Sequence, residues 1–203
     1  MAADYAEVDV LVNNAGLISS RRDRTVDGHE LTIQVNHLAP FLLTSLLLDR
    51  LVAAPAGRVV TTSSAAHAFG WLDPGDLDFS RRRWSRWRAY ADSKQANVLF
   101  TTELDWRLRH SDVVATCFHP GLVRSDFGAD SSLFALAGKL FPVGFVSPSQ
   151  GASTLVLLAT TDTGRDLPGA YFDSGRLSRA TSRAVDPGLA ERLWEVSATE
   201  TAQ

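Results

Sequence analysis

The sequence predicts an α/β protein whose parallel sheet is covered by helices on both faces. Short runs rich in β-branched residues, such as 8–12 and 58–62, end directly in turns, and segments with apolar residues at helical spacing separate them. Strands that alternate with helices in this way build βαβ units, in which the strands run parallel. No internal repeat, linker or low-complexity segment interrupts the chain, so we expect one domain over residues 1–203.

The first part of the chain predicts two strands with a long helix between them. Residues 8–12, "VDVLV", are expected to form a buried strand that ends at "NNAG". Residues 27–51 carry the helical period, and Pro40 is expected to interrupt or bend this helix. Its run "HLAPFLLTSLLLDRL" indicates a well-buried helix. Residues 58–62, "RVVTT", predict the second strand, which leads into "SSAAHAFG".

The rest of the chain predicts a polar loop followed by alternating helices and strands. The loop covers 69–88, has a turn at Pro74 and Gly75, and ends in the basic cluster 81–88, "RRRWSRWR", which we expect to be solvated. The later elements, in chain order, are a helix over 89–109, a strand over 113–118, a short helical flap over 131–145, a helix over 147–160 and a last strand over 169–173.

Composition excludes several classes of function. The chain is 45% apolar and 21% charged, as ordinary soluble globular proteins are. A net charge of -3 argues against a nucleic-acid partner, because binding phosphates requires a basic surface. The five histidines form no HxxxH or HxH pair and have no cysteine partner nearby, so no metal site is expected.

The chain carries the marks of a cytoplasmic protein. Its single cysteine, Cys117, cannot form an intramolecular disulfide and suits a reducing compartment. No stretch reaches about 18 uninterrupted apolar residues, so no membrane span is expected. The N-terminal sequence "MAADYAEVDV" lacks the charged and then apolar order of a signal peptide.

A tyrosine and a lysine lie four residues apart in "YADSK", at positions 90 and 94. On a helix this spacing puts the phenol of Tyr90 and the ammonium of Lys94 on one face. A nearby cation favours the phenolate, so we expect Lys94 to lower the pKa of Tyr90 and to make it a usable acid or base. Taken alone, however, the spacing is more often an ordinary exposed helix pair.

Small and polar residues follow three predicted strands. Asn13 to Gly16, then Ser63 and Ser64, then Pro120 and Gly121 each come directly after an apolar run. In an open parallel sheet, ligands bind beyond the carboxyl ends of the strands. Each turn alone is as consistent with an ordinary turn as with a site. Together with the Tyr90 and Lys94 pair, they favour a ligand site at this rim.

These motifs, in this order, resemble the short-chain dehydrogenases/reductases. The resemblance rests on "NNAG", the serine after the next strand, "YADSK" and "PGLVRS", and it extends over essentially the whole chain. The segments "VNHLAPFLLTSLLL", "AYADSKQANVLFTTEL" and "CFHPGLVRSDF" are similar to the retinol dehydrogenase-like and WW-domain-oxidoreductase-like branch. The resemblance implies a Rossmann-like doubly wound sheet and NAD(P)-dependent hydride transfer between an alcohol and a carbonyl.

The family's catalytic roles map onto four residues. By resemblance, Tyr90 is the acid or base at the substrate oxygen, and Lys94 lowers its pKa and holds the nicotinamide ribose. Ser64, rather than Ser63, would donate to the substrate oxygen, and Asn36 would support a water chain to Lys94. The residues implied to contact NAD or NADP are Asn14, Ala15, Gly16, Tyr90, Lys94, Pro120, Gly121, Val123 and Ser125.

The sequence departs from the family pattern at its start. Family members begin with a strand and a glycine-rich turn, TGxxxGxG, that holds the cofactor pyrophosphate. No such turn is present, so we expect the C-terminal portion of the fold, with strands 4 to 7 of the family and their helices, and with "VDVLV" as an exposed edge. We also expect this chain alone not to bind NAD(P)H tightly.

Two functions therefore follow from the sequence. The first is an oxidoreductase whose catalytic half is present and which we expect to be active only if an N-terminal half exists upstream or is supplied by a partner. The apolar and aromatic residues of 69–88 and 127–146 suggest that its substrate is a hydrophobic alcohol, aldehyde or ketone. The second is a truncated, non-catalytic remnant that associates through its exposed strand. By resemblance to family members that pair through their long helices, a homodimer is also expected.

Overall fold

The computed structural model, which describes residues 5–123 and 145–202, centres on a five-stranded sheet. The strand order is β1-β2-β3-β6-β7, and β4 and β5 pair with each other as a separate parallel ladder. The strands are β1 (Val10–Asn13), β2 (Arg58–Thr62), β3 (Val114–His119), β4 (Leu122–Val123), β5 (Phe145–Val146), β6 (Tyr171–Asp173) and β7 (Arg176–Ser178).

The predicted parallel sheet of four strands is confirmed, and a fifth strand that was not predicted extends it. β1, β2, β3 and β6 pair in parallel, with Asn13 opposite Thr61 and Phe118 opposite Phe172. β7, which the sequence analysis did not predict, pairs antiparallel with β6. Its turn at Ser174 and Gly175 has φ of 48° and 82°. A two-residue turn with two positive φ angles joins antiparallel strands, and "SG" was the signal for it.

In the described part of the chain the α-helices are α1 (Leu31–Ile33), α2 (Ala39–Ala53), α3 (Arg86–Arg107), α4 (Pro148–Thr160) and α5 (Pro187–Glu200). The predicted helices over 27–51, 89–109 and 147–160 are confirmed with shifted ends, whereas α5 was not predicted as an element. The helical flap expected over 131–145 lies outside the described residues, apart from Phe145 at the start of β5.

The predicted interruption near Pro40 is confirmed and takes the form of a π-helical turn. This turn, Gln34–Leu38, joins α1 to α2, and the amide of Ala39 donates to the carbonyl of Gln34 five residues earlier. Proline has no amide hydrogen, so Pro40 cannot donate to the carbonyl of Asn36 as an α-helix would require. Wider turns of this kind often occur at functional sites.

Core clusters lie on both faces of the sheet, as predicted. On one face, Leu11 and Val59 pack against residues of α2 and α3 such as Phe41 and Phe100. On the other face, α4 contributes to a second cluster through its buried leucine. Burial of these side chains on both faces supplies most of the stabilisation of a sheet of this kind, at about 25 cal/mol per Å² of apolar surface.

The helix α2 is only partly buried, contrary to the expectation. Phe41 and Leu51 face the core, but Leu46 is 61% exposed and Leu43 and Val52 are also largely exposed. The segment Leu31–Ala53, with a mean hydropathy of 1.4, is long and apolar enough to cross a membrane by length and composition alone. Core helices of soluble proteins pass the same test, and this segment packs on the sheet in the structure.

Parts of the segment 69–88 are packed, although Arg81, Arg83 and Arg88 are exposed as expected. Phe79 is buried in a core cluster, and the guanidinium of Arg82 lies 4.6 Å from the centre of its ring. Arg82 also donates to Asp76 at 3.1 Å and to Asp92 at 2.8 Å, and both carboxylates are almost completely buried. The expectation of a solvated basic cluster is therefore wrong for Arg82, which ties the loop to α3.

The helix α5 covers α2 and α3 through Trp194. The indole of Trp194 lies edge-on to Phe41 at 4.9 Å and stacks on Phe100 at 6.0 Å, with the guanidinium of Arg107 4.6 Å from its ring centre. Nearby, Nε2 of His37 hydrogen-bonds the hydroxyl of Ser197. Part of the long helix α3 is thus covered by α5 of the same chain.

We predict that Trp194→Ala lowers the free energy of unfolding by about 2–4 kcal/mol, because it leaves a cavity between three helices. Urea denaturation followed by circular dichroism measures the change. Trp106→Ala is the matched control, since Trp106 also has an arginine over its ring, from Arg109 at 4.2 Å, but is 57% exposed. Its effect should stay within about 0.5 kcal/mol, and equal losses for the two variants would contradict this account.

Candidate active site

A cleft of about 690 Å³ opens at the carboxyl edge of β1, β2 and β3. The residues after each of these strands line it, as the sequence analysis expected, and α3 contributes Tyr90 and Lys94 to the same wall. The segments of the cleft wall that come from the strand ends are Asn14 to Gly16, Thr62 to Ala66 and His119 to Val123.

Lys94 is fixed to the end of β2. Its side chain is 3% exposed, and Nζ donates to the carbonyl oxygen of Thr62 at 3.0 Å. The same carbonyl accepts a second hydrogen bond from Nδ2 of Asn97 at 3.0 Å. Burial lowers the pKa of Lys94 to about 8, because the ammonium has lost most of its hydration.

Tyr90 lies one helical turn before Lys94, whose Nζ is 5.8 Å from the centre of the tyrosine ring. The Tyr90 and Ser64 side chains are hydrogen-bonded to each other. The expectation that the pKa of Tyr90 is lowered is wrong for the free protein. Burial raises this pKa, and the hydrogen bond with Ser64 lowers it by less. Tyr90 therefore remains protonated at neutral pH.

The two serines after β2 have different partners. The hydroxyl of Ser63 is buried and donates to the carbonyl of Lys94 at 2.8 Å, so it braces α3 against the sheet. The hydroxyl of Ser64 accepts from the amide of Ala66 at 3.2 Å, which leaves its hydrogen for Tyr90. Of the two serines, Ser64 is therefore the one whose hydroxyl lies at the Tyr90 phenol.

Asn36 holds the loop after β1 against α3. Its Oδ1 accepts from the amide of Leu17 at 2.8 Å, and its Nδ2 donates to the carbonyl of Leu17 and to Ser93 Oγ, both at 2.9 Å. Ser93 in turn donates to the carbonyl of Tyr90 at 2.8 Å. Both amide hydrogens of Asn36 are thus used and its Oδ1 accepts one bond, and the water chain to Lys94 stays a prediction.

The turn after β1 brings backbone close to these polar groups. A Cβ at Gly16 would lie 3.1 Å from Oδ1 of Asn36 and 3.5 Å from Nζ of Lys94. A side chain at position 16 would therefore require Asn36, which is held by three hydrogen bonds, to shift by a few tenths of an ångström. Asn14 accepts from the hydroxyl of Thr62 at 3.0 Å, and Ala15 lines the cleft beside it.

The turn after β3 forms the opposite wall. Pro120 and Gly121 line the cleft, and Gly121 has a φ of +85°, which favours glycine. Val123 also lines it, in contact with α4, where a Cβ at Gly151 would overlap the valine side chain. Ser125 lies outside the described residues.

Part of this cleft was not predicted from the sequence. The helix α4 contributes residues from its first two turns. The lining residues that were not predicted include Ile18, His119, Leu122, Pro148, Gly151, Ala152 and Leu155, whereas Phe69 and Trp87 belong to the segment 69–88 that was expected to shape the substrate pocket. The glycine in "SPSQG" was the available signal, because it marks close packing on the helix.

No metal site is found in the part of the chain that the structure describes. Within residues 5–123 and 145–202, no three His, Cys, Asp or Glu side chains come together in a way that could hold an ion. Cys117 is fully buried, and burial raises the pKa of its thiol to about 12, so it has none of the character of a nucleophile.

Comparison with known proteins agrees with this geometry. The family model described as short chain dehydrogenase matches residues 1–134. The chain therefore belongs to the short-chain dehydrogenase family. Retinol dehydrogenase 12 of Homo sapiens is 42% identical over 195 residues, a match that covers 96% of this chain and 61% of that protein. The chain thus spans less than two thirds of the length of this relative.

Solved structures show the same fold. An uncharacterized protein from Mycobacterium Paratuberculosis is 35% identical, with a TM-score of 0.75 over 98% of this chain and 69% of that one. A short chain dehydrogenase from Escherichia coli CFT073, solved in complex with NADPH, is 25% identical, with a TM-score of 0.59 over 86% of this chain and 66% of that one. Both likenesses support a Rossmann-fold α/β protein.

We predict that the buried ammonium of Lys94 makes stability increase with pH above 8. The pKa is about 8 in the folded protein and near 10.5 otherwise, so between these values the unfolded chain binds more protons than the folded one. The free energy of unfolding therefore rises with pH in this window, whereas below pH 8 the cost of burying the charge is fully present.

Urea denaturation of the wild type and of Lys94→Met at pH 7, 8 and 9 measures this effect. The comparison ends at pH 9. Above that pH, Cys117 ionises in the unfolded chain, which lowers the free energy of unfolding. The wild type should gain stability relative to Lys94→Met between pH 8 and pH 9. A difference that does not change with pH would contradict burial of a charged lysine.

Proposed function

We propose that this protein is an NAD(P)-dependent oxidoreductase that interconverts an alcohol and a carbonyl by hydride transfer. The observation that carries the proposal is the convergence of the Tyr90 and Ser64 hydroxyls at the rim of the cleft, with Lys94 one helical turn away. Two hydroxyls that meet at one point can both bind a single substrate oxygen and stabilise the charge that develops on it.

The residues around Gly16 and Lys94 fit a nicotinamide cofactor. The glycine leaves the backbone open beside Nζ of Lys94, where hydroxyls of a ribose could bind, and Gly121 with Val123 forms the facing wall. When bound, the cofactor supplies or accepts the hydride. The contact of Ser125 with the nicotinamide stays a proposal from the sequence resemblance.

The protein's own groups handle the proton. In reduction, the substrate carbon gains the hydride and the phenol of Tyr90 gives its proton to the substrate oxygen; in oxidation both transfers reverse. The raised pKa of Tyr90 keeps the phenol protonated at neutral pH, as a proton donor for the reduction must be. When the phenolate of Tyr90 forms, the positive charge of Lys94 stabilises it.

The lining of the cleft suits an apolar substrate. Phe69, Trp87 and Leu155 contribute side chains to it, together with Ile18 and Leu122. Pockets of this kind bind a largely apolar molecule and orient it through a few polar groups. We therefore propose a hydrophobic alcohol, aldehyde or ketone, and retinal is a suitable probe because a relative is named retinol dehydrogenase 12.

The alternative function, a non-catalytic association module, is favoured by one observation. Among the described residues, β1 pairs only with β2, so its other edge has no strand beside it. Exposed edges of this kind pair readily with another chain. We propose a cytoplasmic protein in either case. A homodimer would have to form through a surface other than the part of α3 that α5 covers.

We predict that Tyr90→Phe lowers the turnover of retinal with NADPH by about 10²–10⁴-fold, because it removes the proton donor. Stopped-flow or steady-state absorbance at the NADPH band measures the rate. Tyr5→Phe, at a tyrosine that is 67% exposed, is the matched control and should leave the rate unchanged. Equal rates for Tyr90→Phe and the wild type would contradict the proposal.

A separate titration of the wild type with NADPH and NADH, followed by fluorescence, distinguishes the two functions. The oxidoreductase proposal requires saturable binding of one cofactor, and the tighter of the two identifies the cofactor. The association module requires no saturable binding, together with self-association in sedimentation experiments, and this result would replace the enzyme proposal.

A further inference from the structure

We propose that His67 is a positioning residue that holds Ser64 in the orientation needed to bond Tyr90. His67 acts through the turn that carries Ser64, and the inference rests on the proposed function of the Ser64 and Tyr90 pair.

The geometry places His67 directly behind Ser64. His67 lies on the 3₁₀ turn Ala65–Phe69 that follows β2, and it is 4% exposed. Its Nδ1 lies 2.7 Å from the carbonyl oxygen of Ser64, and its amide donates to the same oxygen at 3.0 Å. Two bonds from one residue to one carbonyl fix the peptide plane of Ser64, and so the direction in which its hydroxyl leaves the backbone.

The far side of the ring determines which nitrogen carries the hydrogen. The amide of Thr181 donates to Nε2 of His67 at 3.4 Å, so Nε2 acts as the acceptor and Nδ1–H as the donor to Ser64. The ring also packs edge-on against Tyr171, with 4.7 Å between centres. His67 therefore links the catalytic turn to β6 and to the segment after β7.

This arrangement requires a neutral ring. Protonation would give Nε2 a hydrogen that faces the Thr181 amide hydrogen, so the link would break. The charged and titratable groups around His67 are Asp173 and Tyr171 on β6 and His119 on β3. Burial lowers the pKa of His67, while Ser64 and Asp173 raise it by less, so the neutral form prevails at neutral pH.

The first test is a double-mutant cycle on turnover of retinal with NADPH. We expect His67→Leu to lower kcat roughly tenfold through misplacement of Ser64, with KM for NADPH unchanged. In a Ser64→Ala background the same change should cost less than about twofold, because the group it positions is gone. Additive losses in the cycle would overturn the proposal.

The second test needs no turnover and remains decisive if the protein proves not to be an oxidoreductase. The chain has three tyrosines, so ¹³Cζ-tyrosine NMR can resolve Tyr90 in a Tyr5→Phe background. Ser64→Ala and His67→Leu should shift the Tyr90 signal in the same direction, since both remove the hydroxyl from it. An unchanged signal in His67→Leu would overturn the proposal.

Conservative variants separate positioning from folding. Asparagine can place its amide near Nδ1, whereas glutamine places its amide near Nε2. The proposal requires His67→Asn to keep the Tyr90 signal of the wild type and His67→Gln to lose it, and the reverse pattern contradicts it. His37→Leu is the control for loss of a buried histidine, since His37 bonds Ser197 and not Ser64. Its effect on kcat should add to that of Ser64→Ala.

Discussion

The bond from the ammonium of Lys94 to the carbonyl of Thr62 is the constraint on which the site depends. It joins α3 to the last residue of β2, and Ser63 repeats the connection by donating to the carbonyl of Lys94. Because these bonds join α3 to the end of β2, Tyr90, one helical turn before Lys94, lies beside Ser64. Burying an ammonium with a neutral partner costs free energy, and structures that retain such a group usually do so for function.

The surrounding elements make this arrangement rigid. Asn36, held on a π-helical turn, binds the loop after β1 and reaches Ser93 on α3. Arg82 ties the preceding loop to α3 at Asp92. The helix α5 covers the outer side of α3. Four parts of the chain that are distant in sequence thus hold one helix, as a preorganised site requires.

Sequence patterns predicted the parts of the fold that follow local rules. β2 was predicted with its observed bounds because "RVVTT" lies between turns, and the break before Pro40 follows from a missing amide. The antiparallel β7 was missed because three residues give no period. The contact of α4 with the cleft was missed because it arises from long-range packing of Gly151 on Val123. The direction of the Tyr90 pKa was wrong because burial, which spacing does not reveal, raises this pKa by more than the hydrogen bond with Ser64 lowers it.

The most direct measurement is the pKa of Lys94 itself. The chain has two lysines, so a Lys139→Arg variant leaves Lys94 as the sole lysine signal in a ¹⁵Nζ NMR titration. We expect that signal to titrate near 8, as a buried ammonium bonded to a carbonyl should. Titration near 10.5, the value of an ordinary lysine, would show that Lys94 is hydrated and not anchored to β2. The account of the site would then be incorrect.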